Sequence, residues 1–113
     1  MINIQTYPHG EDLKVVMISG SMGANDVKPL EETLDRELTG EFNKLVIDCG
    51  KLESISSLGL GLLVRMQSRL KARGGEVRLA NVQGVVADVL SVIQLDKVMG
   101  LYPSIDAAAR DMR

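Results

Sequence analysis

Apolar and polar positions along the chain follow two different periods, which predict strands and helices in alternation. Four short apolar runs have the length and the β-branched content of strands: residues 2–6, 13–19, 44–49 and 76–82. The first two flank a turn-forming stretch, Tyr7 to Asp12, and are therefore expected to form an antiparallel pair.

Apolar residues at helical spacing fill the intervals between these runs. A first helix is predicted from Asp26, as its N-cap, to Gly40. A second is predicted from about Leu58 to Arg73, with an apolar stripe formed by Leu58, Leu62, Leu63, Met66 and Leu70. Further helices are predicted at about 85–94 and from Pro103, with a short segment at 97–101.

This alternation predicts an α/β fold. Right-handed crossovers that advance in one direction place the helices mainly on one face of the sheet, so we expect a mixed sheet of four to five strands with about four helices. With 113 residues, 45% of them hydrophobic, the chain is long enough for a core and is expected to form a single domain over residues 1–113.

The candidate chemistry lies where the third strand leads into the second helix. The run Ile55-Ser56-Ser57-Leu58-Gly59-Leu60-Gly61 places two hydroxyls at the mouth of a helix. Unpaired amide donors and a positive partial charge at such an end would tolerate a phosphate on either serine. The alternative is that these serines only cap the helix. Leu58 either packs as the first residue of the apolar stripe or restricts access to Ser57.

The sequence gives little support to nucleic-acid binding or membrane insertion. Acidic and basic residues are interspersed and the net charge is −2, so we expect no direct nucleic-acid partner. No apolar run has the length of a membrane span, and the start of the chain does not have the pattern of a signal peptide, so we expect no membrane insertion and a cytoplasmic location.

Enzymatic activity is not expected either. Cys49 is the single cysteine and is expected to be a small core residue. His9 is the single histidine, and neither a nucleophile–base pair nor a spacing typical of metal ligands is present. We therefore predict no catalytic residue, no metal site and no cofactor.

The segment from Asp48 to Leu63 resembles the signature of the STAS domain of anti-sigma-factor antagonists. That signature has an Asp closing a strand, a loop with a central aliphatic residue, here Leu52, and a Ser-Ser-x-Gly-Leu segment opening a helix. The run from Gly20 to Leu30 resembles the strand-to-helix passage of the family, with Gly23 in place of an Asp. Residues 92–98 and 102–108 resemble its C-terminal part, so the resemblance covers nearly the whole chain.

The resemblance implies partner switching. The unphosphorylated domain would bind an ATP-binding serine kinase that doubles as an anti-sigma factor. Phosphorylation of Ser57, or alternatively of Ser56, would abolish binding, and a serine phosphatase would reset the switch. The expected partner-binding residues are Ser21, Met22, Gly23, Asn25, Ser56, Ser57, Leu58, Gly59, Leu60 and Arg65. Met99 is a further candidate for a partner contact.

Two other functions remain open on the sequence. Leu58 and Gly23 depart from the family pattern and favour a STAS scaffold module that works without phosphorylation in a signalling or lipid-transport complex. The glycines after Ser57 suggest a sensor of a small ligand or nucleotide.

Overall fold

A single mixed sheet organises the part of the chain that the structure describes, residues 2–38 and 42–110 of a computed structural model. Its five strands lie in sequence order: β1 (Ile2–Pro8), β2 (Leu13–Met22), β3 (Lys44–Ile55), β4 (Glu76–Ala80) and β5 (Gly100–Tyr102). β1 and β2 are antiparallel, and every later neighbour is parallel. The predicted antiparallel pair and the predicted α/β class are confirmed.

In this part of the chain, three helices form the crossovers between successive parallel strands, and a fourth follows the last strand. They are α1 (Val27–Glu37), α2 (Ser57–Ala72), α3 (Gly84–Val92) and α4 (Ile105–Ala109), with short 3₁₀ helices at Ala24–Asp26 and Leu95–Lys97. The number of helices matches the expectation. The first helix ends at Glu37, before the predicted Gly40, which lies outside the described residues.

The core lies mainly on one face of the sheet. Leu45, Ile47 and Leu79 point to that face and pack against buried side chains of α1, α2 and α3, such as Leu34 and Leu62. The opposite face carries a smaller cluster, in which Val15, Val46 and Ala80 pack against Ala108 of α4. Three helices on one face and the short α4 on the other agree with helices mainly on one face.

β2 and β3 are longer than their apolar runs. The segment around Leu52, expected to be a loop, continues β3 to Ile55, because it pairs in parallel with the end of β2 up to Met22. The predicted segment at 97–101 is divided between the second 3₁₀ helix and β5. The extension of β2 and β3 matters for function, because it carries both strands to the first turn of α2.

A carboxylate on α1 ties that helix to the sheet. The Thr6 hydroxyl and the Lys14 ammonium both donate to Glu37 Oε1, at 2.9 and 3.0 Å. The hydrogen bond from Lys14, followed by that from Thr6, lowers the pKa of Glu37 below its ordinary value of 4.5. Glu37 therefore stabilises the fold fully above about pH 4.5, and this contribution disappears as the pH falls through its lowered folded pKa.

The expected consequence is a pH-dependent effect of Glu37→Gln on the free energy of unfolding. Because the carboxylate lies near solvent, the loss at neutral pH should be about 0.5 kcal/mol, and it should be smaller at about pH 3, below the ordinary pKa of the group. Urea denaturation at both pH values measures it. Glu32→Gln, on an exposed position of the same helix, is the matched control and should show no such change with pH. An equal effect of Glu37→Gln at both pH values would contradict the assigned role.

Candidate partner-binding site

The first turn of α2 lies against the ends of β2 and β3. Met22 and Ile55 are paired as the last residues of their strands, and the Ser56 amide donates to the Met22 carbonyl at 2.9 Å. Ser56 is the N-cap, with extended backbone angles, and its Oγ accepts a hydrogen bond from the Gly59 amide at 3.2 Å. The chain therefore changes from strand to helix within two residues.

Ser57 is the first residue of α2 and is exposed. Its hydroxyl has no hydrogen-bond partner among the described residues. The two candidate serines thus occupy different environments, because the oxygen of Ser56 is half-buried and satisfies an amide of the first turn. Capping is confirmed for Ser56 and does not account for Ser57.

Leu58 points away from the core, with 57% of its surface exposed. The interpretation that it starts the apolar stripe of α2 is wrong. The stripe starts at Gly59, which is buried, and continues through Leu62, Leu63 and Met66. Leu58 is instead an apolar side chain in solvent next to the Ser57 hydroxyl.

Gly59 permits the close approach of helix and strands. A Cβ on this residue would lie 2.6 Å from Met22 Sδ and 2.8 Å from Ile55 Cγ1, well inside van der Waals contact. A Cβ on Gly61, two residues further on, would meet only Arg65 Nη1, at 3.7 Å. Helix packing therefore accounts for Gly59 without a bound ligand, whereas packing places no such demand on Gly61.

The loop between β2 and α1 forms the neighbouring part of the surface. Ser21, Gly23 and Asn25 are exposed, and the 3₁₀ helix that follows Gly23 contacts α2. Asp26 occupies the predicted N-cap position of α1, but its carboxylate accepts the Gly23 amide at 2.8 Å and so braces the loop. The structure thus brings the loop and the first turn of α2 together.

Burial corrects the expected roles of several other residues. Met22 and Met99 are each only 2% exposed, so neither offers its side chain to a partner. Gly59 is buried as well, and Leu60 is half-buried against the core. Met22 and Gly59 support the site from beneath.

Arg65 lies about 12 Å along the helix from Ser57, since the two are eight helical steps of about 1.5 Å apart. Its guanidinium is 3.5 Å from the Glu31 carboxylate, and Arg69 pairs with Asp35 at 2.7 Å. These ion pairs hold α1 against α2. The structure therefore does not bring Arg65 to the mouth of the helix, and its charge is already matched within the chain.

A polar cluster within the long β3 was not predicted from the sequence. The buried Asp48 carboxylate accepts from the Gly50 amide at 3.0 Å and from Asn81 Nδ2 at 2.9 Å, and Gln83 Nε2 donates to the Gly50 carbonyl at 2.9 Å. This network fixes β3 where its buried stretch ends. An Asp directly after the apolar run Leu45-Val46-Ile47 was a visible signal, but its partner is 33 residues away.

Cys49 behaves as the sequence suggested. It is 3% exposed, and burial, followed by the charge of Asp48, raises the pKa of its thiol to about 12. A thiol that stays protonated is a poor nucleophile. Within residues 2–38 and 42–110, no group of three or more His, Cys, Asp or Glu side chains is arranged to hold a metal ion, and no helix is long and apolar enough to cross a membrane.

Comparison with known proteins gives a consistent set of matches. A family model described as STAS domain matches residues 3–108. A Thermotoga maritima protein with the provisional name of anti-sigma factor antagonist is 30% identical over 79 residues, which are 70% of each chain.

Solved structures share the fold. The anti-sigma factor antagonist of Mycobacterium paratuberculosis has a TM-score of 0.88 at 24% identity, covering 100% of this chain and 95% of the other. The Bacillus protein SpoIIAA in its phosphorylated form has a TM-score of 0.75 at 18% identity, covering 96% and 98%. At these identities the likeness establishes the fold alone.

The close contact at Gly59 leads to a testable difference between two glycines of one helix. Gly59→Ala should lower the free energy of unfolding by about 1 to 3 kcal/mol, because Met22 and Ile55 must move to admit the methyl group. Gly61→Ala should raise it by about 0.5 to 1 kcal/mol, because alanine favours the helix and finds room there. Denaturant unfolding of both variants measures the difference. Equal effects would show that α2 does not lie as close to the strands as described.

Proposed function

The chain belongs to the STAS domain family, and we propose that it is an anti-sigma factor antagonist controlled by phosphorylation of Ser57. In its unphosphorylated form it binds an ATP-binding serine kinase that also acts as an anti-sigma factor. Binding occupies that protein and releases the sigma factor. The observation that carries the proposal is the exposed Ser57 hydroxyl, held at the first position of a capped helix beside the exposed Leu58.

Ser57 is the better acceptor of the two serines. A kinase must align the hydroxyl with the γ-phosphate of ATP, and Ser57 can turn toward it without breaking a bond within the domain. Phosphorylating Ser56 would remove the cap of α2, since its Oγ holds the Gly59 amide. In the reaction the Ser57 oxygen takes the γ-phosphoryl group, its proton passes to a base on the kinase, and ADP leaves.

Leu58 and the loop at Ser21 to Asn25 form the surrounding contact surface. Burying the exposed part of Leu58 against a partner would contribute about 1 kcal/mol, estimated from the transfer energy of a leucine side chain. Together with the exposed loop, it gives the partner an apolar contact beside the acceptor. Access to Ser57 and contact through Leu58 are therefore compatible.

Phosphorylation would act mainly on the interface. A phosphate adds about −1.5 to −2 charge at neutral pH. In the free domain the N-terminus of α2 favours this charge by about 0.3 to 1 kcal/mol, so the fold tolerates it. In the complex the phosphate would have to lose water next to Leu58. A penalty of about 3 to 4 kcal/mol would lower affinity by two to three orders of magnitude. A serine phosphatase would restore binding.

The decisive experiment combines phosphate mapping with affinity measurement. Incubation with ATP and the cognate kinase should place phosphate on Ser57 of the wild type, as mapped by mass spectrometry, and none on Ser57→Ala. Ser57→Ala should bind the kinase as tightly as the wild type, whereas Ser57→Asp should bind at least about tenfold more weakly because it carries part of the phosphate charge. Ser68→Ala, at an exposed serine of the same helix, should be phosphorylated normally.

The outcomes separate a phosphorylation switch from a STAS scaffold module. Phosphate on another residue, or none from a kinase shown to be active and bound, would contradict a switch at Ser57. Binding without phosphorylation would identify a STAS scaffold module, for which bulky Leu58 beside Ser57 is the structural argument.

A second prediction concerns Leu58 itself. Leu58→Ala should weaken binding of the unphosphorylated domain to the kinase by about fivefold, because about 1 kcal/mol of apolar contact is lost. Its unfolding free energy should change little, since the side chain is exposed. Val85→Ala, at an exposed valine on α3, is the matched control and should leave affinity unchanged. Isothermal titration calorimetry measures both, and an unchanged affinity for Leu58→Ala would remove Leu58 from the interface.

A further inference from the structure

β1 forms one edge of the sheet and pairs only with β2 among the described residues. The strand is seven residues long and contains no Asp, Glu, Lys or Arg. Natural proteins commonly protect a free edge of this length with charged side chains, because unpaired backbone groups invite another strand. β5, at the opposite edge, is only three residues long. The unprotected edge of the sheet is therefore β1.

The hydrogen-bond register shows which backbone groups of β1 are unused. The His9 amide donates to the Leu13 carbonyl at 2.9 Å, just beyond the last pair of the ladder. In an antiparallel ladder alternate residues bond to the partner strand, so Asn3, Gln5 and Tyr7 direct their N–H and C=O groups toward β2. The backbone groups of Ile2, Ile4 and Thr6 then point away from the sheet. Pro8, the next residue in this outward series, has no N–H to offer.

These outward groups match a second copy of the same strand. We propose that β1 pairs in antiparallel fashion with β1 of another copy, about a twofold axis through Ile4, to form a sheet continuous across two chains. In this register Ile4 faces Ile4, and Ile2 faces Thr6 of the other copy. Each facing pair forms two hydrogen bonds, so every outward N–H and C=O of the three residues is satisfied. Pro8 falls beyond the end of the pairing.

The side chains of β1 are also symmetric about Ile4. Asn3 and Gln5, one residue to either side, are both amides, and both are exposed on the same face of the sheet. Ile2 and Thr6, two residues to either side, are both β-branched and half-buried on the other face. A twofold interface requires such self-complementarity, whereas an unrelated strand does not. This symmetry selects a second copy as the occupant of the edge.

Charge and apolar contact favour the same arrangement. Lys14, on the neighbouring strand β2, is already paired with Glu37 and therefore adds no net repulsion between the two copies. Ile2 and Ile4 are partly exposed at the rim of the main core, and pairing would place two copies of Ile4 against each other. One strand pair buries little area, so the dimer should be weak and concentration-dependent, with Kd about 1 mM or lower.

Asn3 and Gln5 provide a test of the register. In the proposed dimer they form directly opposed pairs, Asn3 of one copy with Gln5 of the other. Asn3→Lys combined with Gln5→Lys would oppose two like charges at both places and should abolish dimerisation. Asn3→Lys combined with Gln5→Glu would oppose unlike charges and should retain or strengthen it. Sedimentation equilibrium over a wide concentration range, at low salt, measures all three proteins.

Amide hydrogen exchange supplies a residue-specific readout on the same samples. The Ile4 amide should exchange rapidly in dilute wild-type protein and become protected as concentration rises. The Gln5 amide, bonded to β2, should be protected throughout and reports that the fold is intact. In the double-lysine variant the Ile4 amide should exchange rapidly at every concentration.

Three results would overturn the proposal. A wild type that stays monomeric up to about 1 mM would show that the edge does not self-associate. A double-lysine variant that dimerises as well as the wild type would place the dimer on another surface, such as the exposed valines of α3. Loss of dimerisation in the lysine–glutamate variant, with the backbone amide at position 5 still protected, would exclude the register about Ile4.

Discussion

The contact of Gly59 with Met22 and Ile55 determines how the candidate site is presented. Successive residues of a helix are separated by about 100° around its axis, so a buried Gly59 turns Leu58 away from the core and Ser57 still further. The missing side chain lets the first turn approach the strands until two large side chains fill the space. Ser56 completes the junction by bonding both the strand and the helix. The exposure of Ser57 is thus a consequence of the packing beneath it.

This construction suits a switch that depends on charge. The proposed acceptor, Ser57, stands on a helix of sixteen residues, braced by ion pairs to α1 and by an intact cap. A phosphate on Ser57 would be favoured by the N-terminus of α2 in the free domain and would suffer an unfavourable loss of hydration in a complex. The same group can therefore leave the fold intact while opposing association, so no change of backbone conformation is required.

Periodicity predicted the order of strands and helices well, because each buried face is long enough for several residues to repeat the pattern. It failed where the inward residue was not hydrophobic. Gly59 has no apolar side chain, so periodicity wrongly assigns the start of the stripe to Leu58. It also failed where pairing alone maintains a strand, since Lys51 and Glu53 concealed the continuation of β3. Met22 lies beyond the apolar run of β2, so periodicity does not show that it is buried beneath the first turn of α2.

The candidate site at the N-terminus of α2 and the proposed pairing at β1 both depend on backbone groups that regular secondary structure leaves unpaired. At α2 the Ser56 hydroxyl accepts a hydrogen bond from one such group, the Gly59 amide, and the exposed Ser57 hydroxyl stays available to react. At β1 no described residue bonds to the outward N–H and C=O groups, so either another chain or water must bond to them. β2 lies between β1 and β3, so two strand spacings, about 10 Å, separate β1 from β3, the strand that leads to Ser57. Pairing through β1 would therefore leave the Ser57 hydroxyl open to a kinase, so self-association and partner binding need not compete.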